Sequence, residues 1–444
     1  AYADTIGTAH GVANQAMSSL TDNSQALTVF NSLSWDRVAL VMLPDGFTGP
    51  VTQVIDGQTW GEVTVPACGW TTLRLRSGQA LRPASSLKTT NPLKATDRLL
   101  ENEHLRVEFN DKGEITSLLD KATGREIAAG PCNSFKMYKD VPTWFDAWDI
   151  DSMYALTPVE LDEPARFEVV TSGPLVARLR VTRKLHQSML TQEISLRRDS
   201  RRIDFQTVID WQESHKLLKV NFPVTIHANE AIHEIQFGHI RRPNHQSRPF
   251  DADRFEVSNH KWTALAEENR GCAMLNDCKY GVNVAGNSIN LTLLKSPLAP
   301  DMTADKGRQE FTYAFYAWNG CLADSAVVRE AYDLNCPVMT APGAAGERSL
   351  FSVDVPNVVV ETVKPAEDGS ADVVVRLFES KRMATHCALS TSLPVSGAVQ
   401  TDMLENVQEE LPFDNGQISL EFRPFEVKTV RLRTRYRAAG FGLG

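Results

Sequence analysis

The sequence predicts an all-β protein, a large antiparallel β-sandwich flanked by smaller β-sandwich domains. Three observations carry that expectation. Its apolar runs are short and separated by turn chemistry such as Pro44-Asp45-Gly46, Asp56-Gly57 and Cys68-Gly69. Few windows hold a 3.6-residue period, so little of the chain reads as amphipathic helix. Nothing between the runs supplies the crossover helices that a parallel sheet requires. With 444 residues, 42% of them hydrophobic, there is material for about three domains at roughly 150 residues each.

In chain order, residues 5–20 mix small and apolar residues in a helix-compatible pattern that stops at Thr21-Asp22-Asn23-Ser24. This segment, 1–22, is too short to fold alone and is expected to be the tail of a helical unit. The first residue is Ala1 without a basic, apolar leader, which points to a processed or recombinant end. Leu27–Phe30, Val38–Leu43, Val51–Ile55 and Thr72–Leu75 are strand-like, and a small β-sandwich is expected over 23–85. The polar, proline-containing stretch 82–98 reads as a linker.

The large sandwich is expected over 86–340. Leu105–Phe109 alternates, Asn110-Asp111-Lys112-Gly113 turns and Glu114–Leu118 resumes, a hairpin signature. Strand-length runs follow at 167–170, 176–181, 192–196, 203–211, 220–226, 255–257, 272–276, 289–294 and 311–318. A hinge at 341–346 precedes a last β-domain, 347–436, with strands at 358–362, 373–378, 418–422 and 427–432. Residues 437–444 read as a loose tail.

The formal charge of −9 argues against nucleic acid or an anionic membrane as partner, because neither is drawn to a negative surface without a basic stripe. No apolar run approaches the roughly 20 residues of a membrane span. Seven scattered cysteines without a CxxC make a poor disulfide framework and read as reduced thiols of a cytoplasmic protein. One glycosylation sequon, Asn290-Leu291-Thr292, sits inside a strand-like run.

The segment Pro142–Asp151 carries the most chemistry. If it is extended, Trp144, Asp146 and Trp148 share one face and Phe145, Asp149 and Asp151 the other. Indole faces cover the axial C–H groups of a sugar while a carboxylate accepts from its hydroxyls. The alternative is a pair of core tryptophans whose N–H groups find a carboxylate. Asn276-Asp277-Cys278-Lys279-Tyr280-Gly281 ends an apolar run with an amide, an acid and a lysine, which suits either a polar rim or an ordinary hairpin end. His227, His233, His239 and His245 recur every six residues, but in a strand six residues span about 20 Å, beyond one coordination sphere. No metal site is expected in this chain. HExxH, GxSxG and P-loop motifs are absent, so zincin, α/β-hydrolase and NTPase chemistry have no foothold.

Together these segments resemble glycoside hydrolase family 38, the α-mannosidases, in the β-rich C-terminal half of the bacterial and cytosolic type. The resemblance rests on VFNSLSWDR (29–37), LENEHLRVEFNDKGEITSLLDKATGRE (100–126), WFDAWDID (144–151), FGHIRRPNH (237–245) and RFEVSNHKW (254–262). It continues through AMLNDCKYG (273–281), LLKSPLAPD (293–301), DKGRQEFTYAF (305–315), NVVVETVKPAEDG (357–369), VVRLFE (374–379) and PFEVKTVRL (424–432). Eleven segments in register cover nearly the whole chain.

The resemblance implies a galactose-mutarotase-like supersandwich for the large domain and, for 1–22, the remnant of a helical bundle. It implies a retaining, zinc-dependent α-mannosidase that works through a covalent glycosyl-enzyme. The family's nucleophile and zinc ligands lie in an N-terminal α/β barrel, so no catalytic residue and no zinc ligand is assigned to this chain. The implied partners are an α-mannoside or oligosaccharide substrate, the N-terminal barrel of the same enzyme and a further copy in a homo-oligomer. Trp144, Asp146, Asp277 and Lys279 are the candidate substrate-side contacts. Alternatively, the chain is a carbohydrate-binding or a structural, oligomer-forming β-sandwich module. The family usually has histidine where Gln309 stands, and a Pro-His pair where Ala317-Trp318 stands.

Overall fold

A computed structural model describes residues 2–45, 47, 51–74 and 93–434. Leu75, the linker up to residue 92 and the tail 437–444 lie outside the described residues. The chain forms two compact units, one comprising Ala1–Val54, Gln58–Ala84 and Cys336–Gly444, the other Ile55–Gly57 and Ser85–Asn335.

The second unit is a sandwich of a nine-stranded and a six-stranded sheet, and an additional five-stranded sheet contributes to the same core. Every strand pair in it is antiparallel. Alternation explains the layering: in Arg202–Trp211 the side chains of Ile203, Phe205, Ile209 and Trp211 are buried, and Gln206 and Asp210 are exposed. Phe205 stacks on Tyr313 and Phe222 on Phe315, so rings from both sheets fill the interior. Burying each such side chain stabilises the fold by roughly 1.5–3 kcal/mol. The Tyr313 hydroxyl donates to Asn133 Oδ1 at 2.6 Å, and Gln192 Nε2 donates to that hydroxyl at 2.8 Å, which satisfies the polar groups enclosed there.

The expected hairpin is formed by Leu105–Phe109 and Ile115–Asp120, with Gly113 at φ +79° supplying the left-handed residue of its turn. Phe255 lies outside a strand, which begins only at Val257. The helix Val327–Asn335 was not legible as one, although Val327, Val328, Ala331 and Tyr332 form its buried stripe. Asn290 is half-buried, and its Nδ2 donates to Asn283 Oδ1 at 3.0 Å.

In the first unit, helix Tyr2–Leu20 buries Met17 and leaves most of its described side chains exposed. Ala26–Asn31 pairs with Gly69–Arg74 and with Met339–Pro342, so the first two residues of the expected hinge, Ala341 and Pro342, end a strand of this sheet. Strands Arg37–Met42, Gln58–Val65 and Thr52–Ile55 form a three-stranded sheet. A four-stranded and a five-stranded sheet then enclose a core that includes Phe351, Leu377, Leu389 and Leu432.

Candidate functional site at the rim of the sandwich

One end of the large sandwich collects the candidate residues. Strand Gly307–Asn319 starts there, with Gly307 opposite Trp211 at the end of its neighbour. The connection 296–306 leads into it from Ser288–Lys295. Residues 140–157 leave the end of Ser134–Lys139 at the same place and return at Pro158–Val159.

Residues 144–151 are a turn, so the alternation expected for an extended segment does not apply. Phe145 takes φ +59°, and its carbonyl accepts from the N–H groups of Trp148 at 2.7 Å and Asp149 at 2.9 Å. Among the described residues this stretch joins no ladder, and the turn is closed by these local backbone bonds. The turn separates the residues by function: Trp144, Phe145 and Trp148 are 73%, 72% and 76% exposed, while the Asp146 carboxylate points inward. Its Oδ2 accepts from the N–H groups of Leu298 at 2.8 Å and Ala299 at 3.1 Å and lies 3.1 Å from His215 Nε2. Burial alone would raise this carboxyl, but those donors outweigh it and hold it below the ordinary carboxylate value.

The neck of the loop is closed as firmly. The Asp140 side chain, 1% exposed, accepts from the N–H of Asp151 at 2.9 Å and pairs with Lys295. Lys139 and Thr157 bond reciprocally: the Lys139 N–H donates to the Thr157 carbonyl at 2.9 Å and the Thr157 hydroxyl to the Lys139 carbonyl at 3.0 Å. Tyr154 packs edge-on against Tyr138 and lies over Lys219, whose buried ammonium is 2.5 Å from Glu256.

Asp277 and Lys279 follow the end of strand Arg270–Asn276 and lie beside Thr312 and Phe311 of strand Gly307–Asn319. The Asp277 Oδ2 accepts from the Thr312 N–H at 2.9 Å, and its own N–H donates to the Thr312 carbonyl. The Lys279 ammonium lies 4.5 Å from the centre of the Phe311 ring, and burial lowers its pKa against the opposing pull of Asp277 and Asp305. Among the described residues no hydrogen bond or ion pair joins Trp144 or Asp146 to Asp277 or Lys279; the connection 296–306 runs between the two pairs. Sequence reasoning missed Asp140, His215 and Lys295, because the bonds that make them matter span tens of residues or more.

Gln309 and Trp318 fall at opposite ends of one strand. Gln309 is at the rim and donates to the Asp305 carbonyl at 2.9 Å. Trp318 is at the far end, buried and stacked on Tyr316. A cleft there is lined by Asp120, Arg125, Thr225, Arg270 and Trp318. The four periodic histidines are dispersed: His227 is exposed near Glu267, His233 is buried beside Thr263, His239 packs on Trp262, and His245 is exposed near Asp251. Among the described residues no group of three His, Cys, Asp or Glu side chains is placed to hold a metal. None of the described helices is long and apolar enough to cross a membrane.

The fold and this rim define an antiparallel β-sandwich protein, and comparison narrows the class. Residues 100–303 match the glycosyl hydrolases family 38 C-terminal domain, and residues 357–430 match the glycosyl hydrolases family 38 C-terminal beta sandwich domain. The chain belongs to glycosyl hydrolase family 38, as a C-terminal region of its α-mannosidases. It is 37% identical over 423 residues to human alpha-mannosidase 2C1, covering 92% of this chain and 40% of that protein. Alpha-mannosidase G of Dictyostelium discoideum is 30% identical over 444 residues, covering 93% of this chain and 40% of the relative. The chain thus spans well under half the length of these relatives. An alpha-mannosidase crystal structure from Enterococcus faecalis V583 superposes with TM-score 0.72 at 16% identity, over 95% of this chain and 58% of that one, and shares the fold.

Proposed function

We propose that this chain is the C-terminal region of a retaining, zinc-dependent α-mannosidase that acts on α-mannosides in mannose or oligosaccharide catabolism in the cytoplasm. The reading is carried by the 37% identity to alpha-mannosidase 2C1 across 92% of the chain. In it, the zinc ion supplies Lewis-acid help at the sugar hydroxyls from ligands in an N-terminal barrel, outside this chain. The part played by these residues is architectural and recognitional: the rim that bears Trp144, Asp146, Asp277 and Lys279 completes the sugar pocket, and the sandwich scaffolds the barrel.

On this reading the 444 residues are catalytically silent by themselves. Incubating the purified chain with an aryl α-mannoside and Zn²⁺ is expected to release no aglycone above background. Turnover that co-purifies with the chain overturns the reading. A second reading, a self-sufficient carbohydrate-binding module, is favoured by the exposure of Trp144, Phe145 and Trp148; mannobiose binding by the chain alone, together with a chimera that folds on an α-mannosidase barrel but has no activity, supports it.

A further inference from the structure

We propose that Asp146 is a positioning residue that locks a three-ring platform of Trp144, Phe145 and Trp148, and that this platform takes the apolar face of a mannopyranoside. The proposal deepens the reading above and rests on it for the identity of the sugar. A ligand-facing carboxylate would leave its oxygens free for hydroxyl groups. Here Oδ2 is occupied by the N–H groups of Leu298 and Ala299 and by His215, and Oδ1 is buried without a hydrogen-bond partner. Asp146 therefore holds the turn from behind.

What the turn presents is unusual for a solvated loop. Three large aromatic side chains stand more than two-thirds exposed within five residues, and the middle one, Phe145, occupies the left-handed region that bulky residues avoid. Strained backbone persists where surrounding bonds over-determine it, and such sites cluster where ligands are gripped. The bonds at Asp140, Asp146 and Thr157 meet that condition. Rings fixed in advance bind without a further ordering cost. The exposed Asp149 carboxylate next to Trp148 adds an acceptor for sugar hydroxyls, which a purely apolar protein contact would leave unpartnered.

The test uses the 444-residue chain, with mannobiose as probe and amide hydrogen exchange as an independent readout. Trp148→Ala is expected to abolish saturable binding while exchange at the Asp149 N–H stays at the wild-type rate. Asp146→Ala is expected to raise exchange at Trp148 and Asp149 by roughly tenfold or more as the turn opens, with binding lost in step. Asp146→Asn keeps an acceptor for the two N–H groups and is expected to restore most of both. Loss of binding in Asp146→Ala at unchanged exchange makes Asp146 a direct contact and overturns the positioning role. Wild-type binding by Trp148→Ala overturns the platform. So does the absence of any saturable binding, with self-association that Trp148→Ala removes. Saturable binding of galactosides in place of mannosides would instead sink the functional reading and leave the positioning role standing.

Discussion

His215 Nε2 lies 3.1 Å from Asp146 Oδ2, joining the aromatic turn to the end of the sandwich across 69 residues. Because the Asp146 carboxyl is held below its ordinary value of 3.8, its stabilising effect is complete above that value and is lost as the pH falls through the depressed one. Pepsin cleavage after Phe145, normalised to a free peptide of the same sequence, should therefore rise as the pH drops below 3.8. In Asp146→Ala the cleavage should be high throughout. A flat wild-type profile would mean that the carboxylate does not hold the turn.

The imidazole of His233 is buried, 3.1 Å from the Thr263 hydroxyl, and burial together with nearby Arg242 lowers its pKa from 6.5 to about 3. The unfolded chain takes up a proton below pH 6.5 and the folded chain does not, so stability falls between 6.5 and 3. From pH 6.5 to 5 the loss from this one group is about 1–2 kcal/mol. Urea midpoints of wild type and His233→Gln at both pH values check this: the variant should lack that share of the pH dependence.

Lys219 is 2% exposed and pairs with Glu256 beneath Tyr154. Removing one partner strands a buried charge, so Lys219→Ala should cost about 3–5 kcal/mol in chemical denaturation. The double replacement Lys219→Met with Glu256→Leu removes both charges and should cost far less. Equal losses in the two variants would show that packing, not the stranded charge, sets the penalty.

A Cβ at residue 271 would stand 2.1 Å from the Trp318 ring, so glycine is required there by close approach. Gly271→Ala should destabilise by roughly 1–3 kcal/mol through overpacking. In a Trp318→His background, whose smaller ring leaves room beside residue 271, the same change should cost less. A double-mutant cycle on thermal stability reads the difference, and strict additivity would refute the contact.

The strands were legible because period-two alternation along Arg202–Trp211 or Gly307–Asn319 records burial directly. Helix Val327–Asn335 escaped because nine residues give only about two and a half turns of pattern and the helix opens on two strand-like valines. Trp144 and Trp148 stood out as a sugar-suited pair, but their presentation depends on Asp146 meeting amides at 298 and 299, a tertiary bond with no local signal. For the same reason the sequence paired Asp146 with the indoles on one face, whereas the turn sends it inward.

The central claim is that this rim serves an α-mannosidase pocket completed by a barrel from the same enzyme. A chimera in which this chain replaces the aligned segment of human alpha-mannosidase 2C1 tests it, with kcat/KM for an aryl α-mannoside measured before and after Trp148→Ala. The account predicts an active chimera whose kcat/KM falls roughly three- to tenfold in the variant, about 0.7–1.4 kcal/mol, at unchanged stability. A folded chimera without activity, or one indifferent to the loss of Trp148, would contradict it.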